Sequence, residues 1–134
     1  MNAQINIRLD LSPVACPRPR VTKNGVYYPK RYTTFKTVSK ALLMNQCKMF
    51  IQKQQNIHID YLFICKRQSA LCKGKQRVYK ATRPDLDNYI KAINDSLQSA
   101  GIIEDDSQIV SLSGKKMFSA PKEDPFIQLT ITLL

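Results

Sequence analysis

Two stretches near the ends of the chain alternate apolar and polar residues with a period of two. Ile5, Ile7, Leu9 and Leu11 alternate with Asn6, Arg8 and Asp10, and Ile127, Leu129, Ile131 and Leu133 alternate with Gln128, Thr130 and Thr132. Successive side chains of a strand point to opposite faces, so each stretch reads as a strand with one buried face. A sheet with one apolar face needs a cover, and the sequence between supplies two helical patterns. Leu86, Ile90, Ile93 and Leu97 fall within about 60° of one another on a helical wheel, and Gly101 follows as a C-terminal stop. Phe35, Val38, Leu42, Met49 and Phe50 lie mostly at helical spacing, which predicts another helix over residues 34–54 with Thr34 as its cap.

The remaining segments add strands and loops. Pro13 and Pro17 end the first strand. Residues 21–28 read as a hairpin, because Asn24-Gly25 can occupy the positive-φ positions of a type I′ turn between β-branched and aromatic arms. Residues 59–65 form an apolar strand expected to be buried on both faces, and residues 109–118 another. Between residues 66 and 80 a basic segment with Gly74 and little apolar patterning reads as a loop. The expected fold is α/β of the α+β type: a single small domain over residues 1–134, with a mixed β-sheet covered by two helices.

Charge is distributed unevenly. The chain has 21 Lys and Arg against 10 Asp and Glu, a net charge of +11, which points to an anionic partner, nucleic acid first. Acid is concentrated in Asp85, Asp87, Asp95, Glu104, Asp105 and Asp106, with Lys91 the one basic residue among them. Such a segment repels the polyanion that the rest of the surface invites, unless a hard divalent cation bridges carboxylate and phosphate. No apolar run reaches the ~18 residues of a membrane span, and no basic-then-apolar signal pattern opens the sequence, so a cytoplasmic protein with no membrane association is expected. Cys16, Cys47, Cys65 and Cys72 form no Cys-x-x-Cys pair and read as thiols rather than disulfides or zinc ligands. The single histidine, His58, reads as structural.

Inside one helix Asp85 and Asp87 would project about 160° apart and could not share an ion. Pro84 biases the backbone before it towards extended structure, and Asp87 suits a helix start. With Asp85 on an extended approach, the two carboxylates can face the same side and chelate. Lys91 lies one turn after Asp87 and Asp95 one turn further, so Lys91 can either stabilise charge near an ion or pair with Asp95. Asp105 and Asp106 follow the helix, and a loop running back along it brings one of them towards Asp85 and Asp87. An Asp-x-Asp pair alone is equally compatible with capping and turn roles. An EF-hand is excluded, since Tyr89, Ile90 and Ser96 stand where an oxygen ligand, Gly and Glu are required. The four isolated glycines build no phosphate-cradling loop.

Taken as one string, Arg83-Pro-Asp-Leu-Asp-Asn-Tyr-Ile-Lys91 through Gly101-Ile-Ile-Glu-Asp-Asp-Ser-Gln-Ile109 closely resembles the RusA family of Holliday-junction resolvases of bacteria and their phages. Pro17-Arg-Pro-Arg-Val21 and Tyr27-Tyr-Pro-Lys30 resemble the family more loosely. The resemblance implies a homodimer that cleaves four-way DNA junctions using Mg2+, with Mn2+ as a substitute. It carries the metal-binding acids onto Asp85, Asp87 and Asp106 and the essential lysine onto Lys91. DNA contacts are expected from the hairpin region through Arg18, Arg20, Lys23, Lys30 and Arg31, from the basic loop through Lys66, Arg67, Lys73, Lys75 and Arg77, and from Arg83. Two alternatives keep some of these features: a branched-DNA or RNA-binding module whose acids are structural, and a nuclease for other branched DNA.

Overall fold

A computed structural model of the chain describes residues 3–134, apart from the side chain of Arg20. Strands β1 (Gln4–Leu9), β4 (Ile57–Cys65), β5 (Val78–Tyr79), β6 (Ile109–Phe118) and β7 (Phe126–Leu133) form one sheet in the order β1-β7-β4-β6-β5. β4 and β6 run parallel, and the other pairs are antiparallel, so the sheet is mixed. The short strands β2 (Arg20–Thr22) and β3 (Gly25–Tyr27) form a separate hairpin. Helices α1 (Lys30–Gln46) and α2 (Leu86–Ser99) complete the α+β fold.

The period-two pattern has its expected consequence. Ile7, Leu9, Ile59, Tyr61, Phe63, Ile127, Leu129 and Ile131 are buried together with Ile90, Ile93 and Leu97 of α2. The opposite face carries Asn6, Asp60 and Thr130 and stays open, the usual economy of a largely antiparallel sheet. β4 therefore departs from the expected two-sided burial. It alternates up to Leu62, with Asp60 exposed, and is buried continuously only over Phe63, Ile64 and Cys65. His58 lies on this polar side, bonded to Ser111 Oγ at 2.8 Å and to Asp60 Oδ1 at 3.0 Å.

α1 differs from the sequence expectation at both ends. It begins at Lys30, directly after Pro29, whose carbonyl accepts from the backbone N–H groups of Tyr32 and Thr33, and it stops before Cys47, which is extended. Proline has no N–H to leave unpaired at a helix start, whereas Thr34 is an interior residue. Residues 47–56 leave the helix because Ile51 is buried in an extended bridge to Ile103. The two helices meet through small polar residues, Ser39 Oγ and Ser96 Oγ being 2.8 Å apart. In the hairpin Val21 faces Val26 and Thr22 faces Gly25, leaving Lys23-Asn24 as the loop. Gly25 alone has positive φ, at 117°, so the turn is not type I′. All four cysteines are free thiols, with Cys47, Cys65 and Cys72 buried.

Candidate metal and DNA site

Asp85 approaches α2 in extended conformation, with φ −69° and ψ 149°, and occupies the N-cap position without a side-chain capping bond. The helix starts at Leu86, one residue before the expected cap, which places Asp87 in its first turn. There the helix dipole favours a carboxylate. Asp85, Asp87, Asn88 and Lys91 line one open cleft of about 990 Å3. Its opposite wall is residues 15–19, tied to the helix by the Cys16 N–H donating to the Asn88 carbonyl at 2.9 Å. Arg18 and Arg83 line the same cleft and add positive charge beside the two acids.

Lys91 forms no ion pair among the described residues. Asp95, its alternative partner one turn on, instead accepts from the Tyr32 hydroxyl at 3.1 Å. The Lys91 ammonium is thus left to the cleft, one turn beyond Asp87.

Asp106 opens a 3-10 turn, Asp106–Gln108, that follows Asp105 as its N-cap. Gln108 anchors this turn. Its side-chain oxygen accepts from the N–H groups of Glu104 at 2.9 Å and Asp105 at 3.1 Å, and its amide donates to the carbonyls of Gln52 at 2.9 Å and Gln55 at 3.1 Å. Asp105 accepts from the Ser107 hydroxyl and backbone N–H, which hold its carboxyl below the usual carboxylate range. Asp106 makes no such bond among the described residues, and its charge falls on the Tyr61 hydroxyl, whose pKa is raised mainly by burial. That hydroxyl donates to Asn94 Oδ1 at 2.6 Å. Asp106 thus lies within electrostatic reach of the Tyr61 hydroxyl and is not among the residues lining the Asp85–Asp87 cleft. Among the described residues no three acidic, histidine or cysteine side chains gather as a metal cluster.

The donors at the cleft suit a hard divalent cation nonetheless. Two carboxylates and the Asn88 amide are oxygen donors, and Mg2+ is ordinarily held by one or two carboxylates while keeping water and substrate phosphate as further ligands. The Cys16 thiol on the opposite wall is directed to its own chain, donating to the Pro17 carbonyl at 3.7 Å.

The expected DNA-contacting residues separate into two groups. Lys23, Lys30 and Arg31 are exposed around the hairpin and the start of α1, as are Lys66, Lys73 and Lys75 in the basic loop, while the Arg20 side chain lies outside the described structure. Arg67 is committed to shaping its loop, donating to the carbonyls of Gly74 at 2.9 Å and of Gln76 and Ser119 at 3.0 Å. Arg77 is paired in fork geometry with Glu123 at 2.9 and 2.7 Å. These internal bonds occupy two guanidiniums that sequence reading assigned to DNA.

Comparison with known proteins decides the lineage. A profile of the family described as Endodeoxyribonuclease RusA matches residues 10–132. The chain belongs to the RusA endodeoxyribonuclease family. It is 31% identical over 122 residues to "Crossover junction endodeoxyribonuclease rusA" of Lactococcus phage r1t, covering 87% of this chain and 89% of that protein. It is also 42% identical over 50 residues to "Uncharacterized protein YqaN" of Bacillus subtilis, covering 37% of this chain and 32% of that protein. The RusA match begins just after β1 and spans the other strands of the sheet to within one residue of the end of β7, both helices and the whole cleft. Sequence reading placed Lys80 only among the cations of the basic 66–80 loop and did not single out Lys116, yet the ammonium groups of both bond the backbone just before Asp85.

Proposed function

We propose that this RusA-family chain is a Mg2+-dependent endodeoxyribonuclease that resolves four-way DNA junctions by paired phosphodiester cleavage. The observation that carries the reading is the cleft in which Asp85, Asp87 and Lys91 converge beside Arg18 and Arg83 in a protein of net charge +11. Asp85 and Asp87 would hold Mg2+, or Mn2+ in its place; Asp106, which does not line their cleft, is proposed as the third acid on the family resemblance alone. When bound, the ion supplies Lewis acidity towards a phosphoryl oxygen and lowers the pKa of a bound water.

The chain's own groups account for the rest. Arg18 and Arg83 hold the phosphodiester against the acidic floor of the cleft, and Lys91 neutralises charge that develops on the phosphoryl oxygens in the transition state. Water attacks phosphorus in line, the bond to the 3′ oxygen breaks, and that oxygen leaves with a proton as a 3′ hydroxyl opposite a 5′ phosphate. Beyond the cleft, no Asp or Glu stands between Leu11 and Ile59. The cations Lys23, Lys30 and Arg31 are thus free of acidic neighbours along the chain, and with Lys66, Lys73 and Lys75 they contact the arms of the junction.

Paired cleavage needs two such sites, and each chain carries one cleft, so the acting form is a homodimer with its sites related by a two-fold axis. The substrate puts the work of the protein in the bacterial cytoplasm, under a bacterial or phage gene. A supercoiled plasmid with an extruded cruciform tests the pairing. Linear product that DNA ligase can seal is expected, and nicked circles alone would refute the paired reaction.

A further inference from the structure

Lys80 and Lys116 occupy an unusual position for cations in a DNA-binding protein. Lys80 is 7% exposed, and neither lysine has an acidic partner among the described residues. Two ammonium groups brought close together without a counter-charge are costly unless other dipoles satisfy them. The satisfying groups come from three consecutive residues. Lys80 Nζ donates to the Thr82 carbonyl at 3.1 Å, to Thr82 Oγ1 at 3.2 Å and to the Arg83 carbonyl. Lys116 Nζ donates to the same Thr82 carbonyl at 2.8 Å and to the Pro84 carbonyl at 2.6 Å.

The next residue is Asp85. We infer that Lys80 and Lys116 form a clamp that positions Asp85 for metal binding. The inference rests on the metal-dependent reading above and adds two residues that touch neither substrate nor ion. Asp87 takes its direction from α2, but Asp85 lies on the extended entry and has no capping bond to orient it. Three carbonyls turned towards the ammonium groups fix the backbone immediately before it through charge-assisted bonds. The clamp is itself anchored in the sheet, since Lys116 belongs to β6 and the Lys80 N–H donates to the Lys116 carbonyl at 3.1 Å. Asp85 is thereby held before an ion arrives, so its ordering need not be paid at binding.

The test uses the full-length protein without DNA and reads Mn2+ affinity by water-proton relaxation, with folding checked by circular dichroism. Lys116→Met, on the less buried side of the clamp, is expected to weaken Mn2+ binding about tenfold or more, the usual effect of losing support behind a metal ligand. Lys116→Arg should recover part of that loss, and Lys80→Met should resemble Lys116→Met if it folds. Arg77→Gln, which breaks an ion pair elsewhere in the same region, should leave Mn2+ affinity unchanged. Wild-type Mn2+ affinity in folded Lys116→Met overturns the clamp, as does an equal loss in Arg77→Gln, which would mark general softening. Absence of Mn2+ binding by the wild-type protein overturns the metal reading and the clamp with it.

Discussion

The Asp105 carboxylate accepts the backbone N–H of Ser107 at 3.3 Å and the Ser107 hydroxyl, and so is committed to capping the 3-10 turn. Its neighbour Asp106 makes no side-chain hydrogen bond among the described residues, so of the two adjacent acids it is the one whose carboxylate is uncommitted and the one proposed as a metal ligand. Asp106→Asn should therefore lower junction cleavage by about 100-fold or more. Asp105→Asn should keep most of the activity, because asparagine retains a capping oxygen. Cleavage rates of the two variants check this, and the opposite order would exchange their roles.

Asp87→Asn should abolish measurable cleavage while leaving the fold and metal-free junction binding intact. The substitution removes a charge from the cleft, and Asp87 makes no capping bond whose loss would weaken α2. Parallel gel-shift and cleavage assays check both halves of the expectation.

Lys91→Ala should slow single-turnover cleavage about 100-fold, in the range for loss of one transition-state donor. Junction affinity should change little, because Lys91 is one charge among many. An affinity loss as steep as the rate loss would make Lys91 a grip on DNA.

Much of this arrangement is legible in the sequence. β1, β7 and the buried stripe of α2 follow from simple periodicity, and the extended approach of Asp85 follows from Pro84, although the cap falls on Asp85 and not on Asp87 as expected. The bounds of α1 are not legible in the sequence because its burial is not a clean apolar stripe: Ser39 is buried while Val38 and Met44 are exposed. Its continuation past Gln46 is overridden by a tertiary contact, the Ile51–Ile103 bridge, which no local pattern announces. The roles of Arg67, Lys80, Lys116 and Gln108 are invisible to sequence for the same reason. Each satisfies backbone groups, and any carbonyl or N–H can be such a partner. The sequence predicts that the loop after α2 returns Asp105 or Asp106 to Asp85 and Asp87, but neither lines their cleft, and the turn is anchored instead through Gln108 to the carbonyls of Gln52 and Gln55.

The Arg77–Glu123 pair makes a pH prediction. Hydrogen bonds from Arg77 hold the Glu123 carboxyl down at about 2, against 4.5 for an ordinary glutamate. Between those values the unfolded chain binds more protons, so the pair's contribution is complete above pH 4.5 and is lost as pH falls towards 2. Both side chains are partly solvated, which limits the contribution to about 1 kcal/mol. Arg77→Gln should cost about that much stability at neutral pH and nothing at the acid end, as read by urea denaturation at each pH.

The central claim is metal-dependent cutting selective for branched DNA. It is tested by incubating the purified protein with labelled four-way junction, linear duplex and single strand, each with and without Mg2+. The account predicts symmetrical paired incisions in the junction only when Mg2+ is present, with linear duplex and single strand left intact. Tight junction binding without any Mg2+-dependent product, or equal cutting of linear duplex, would contradict it.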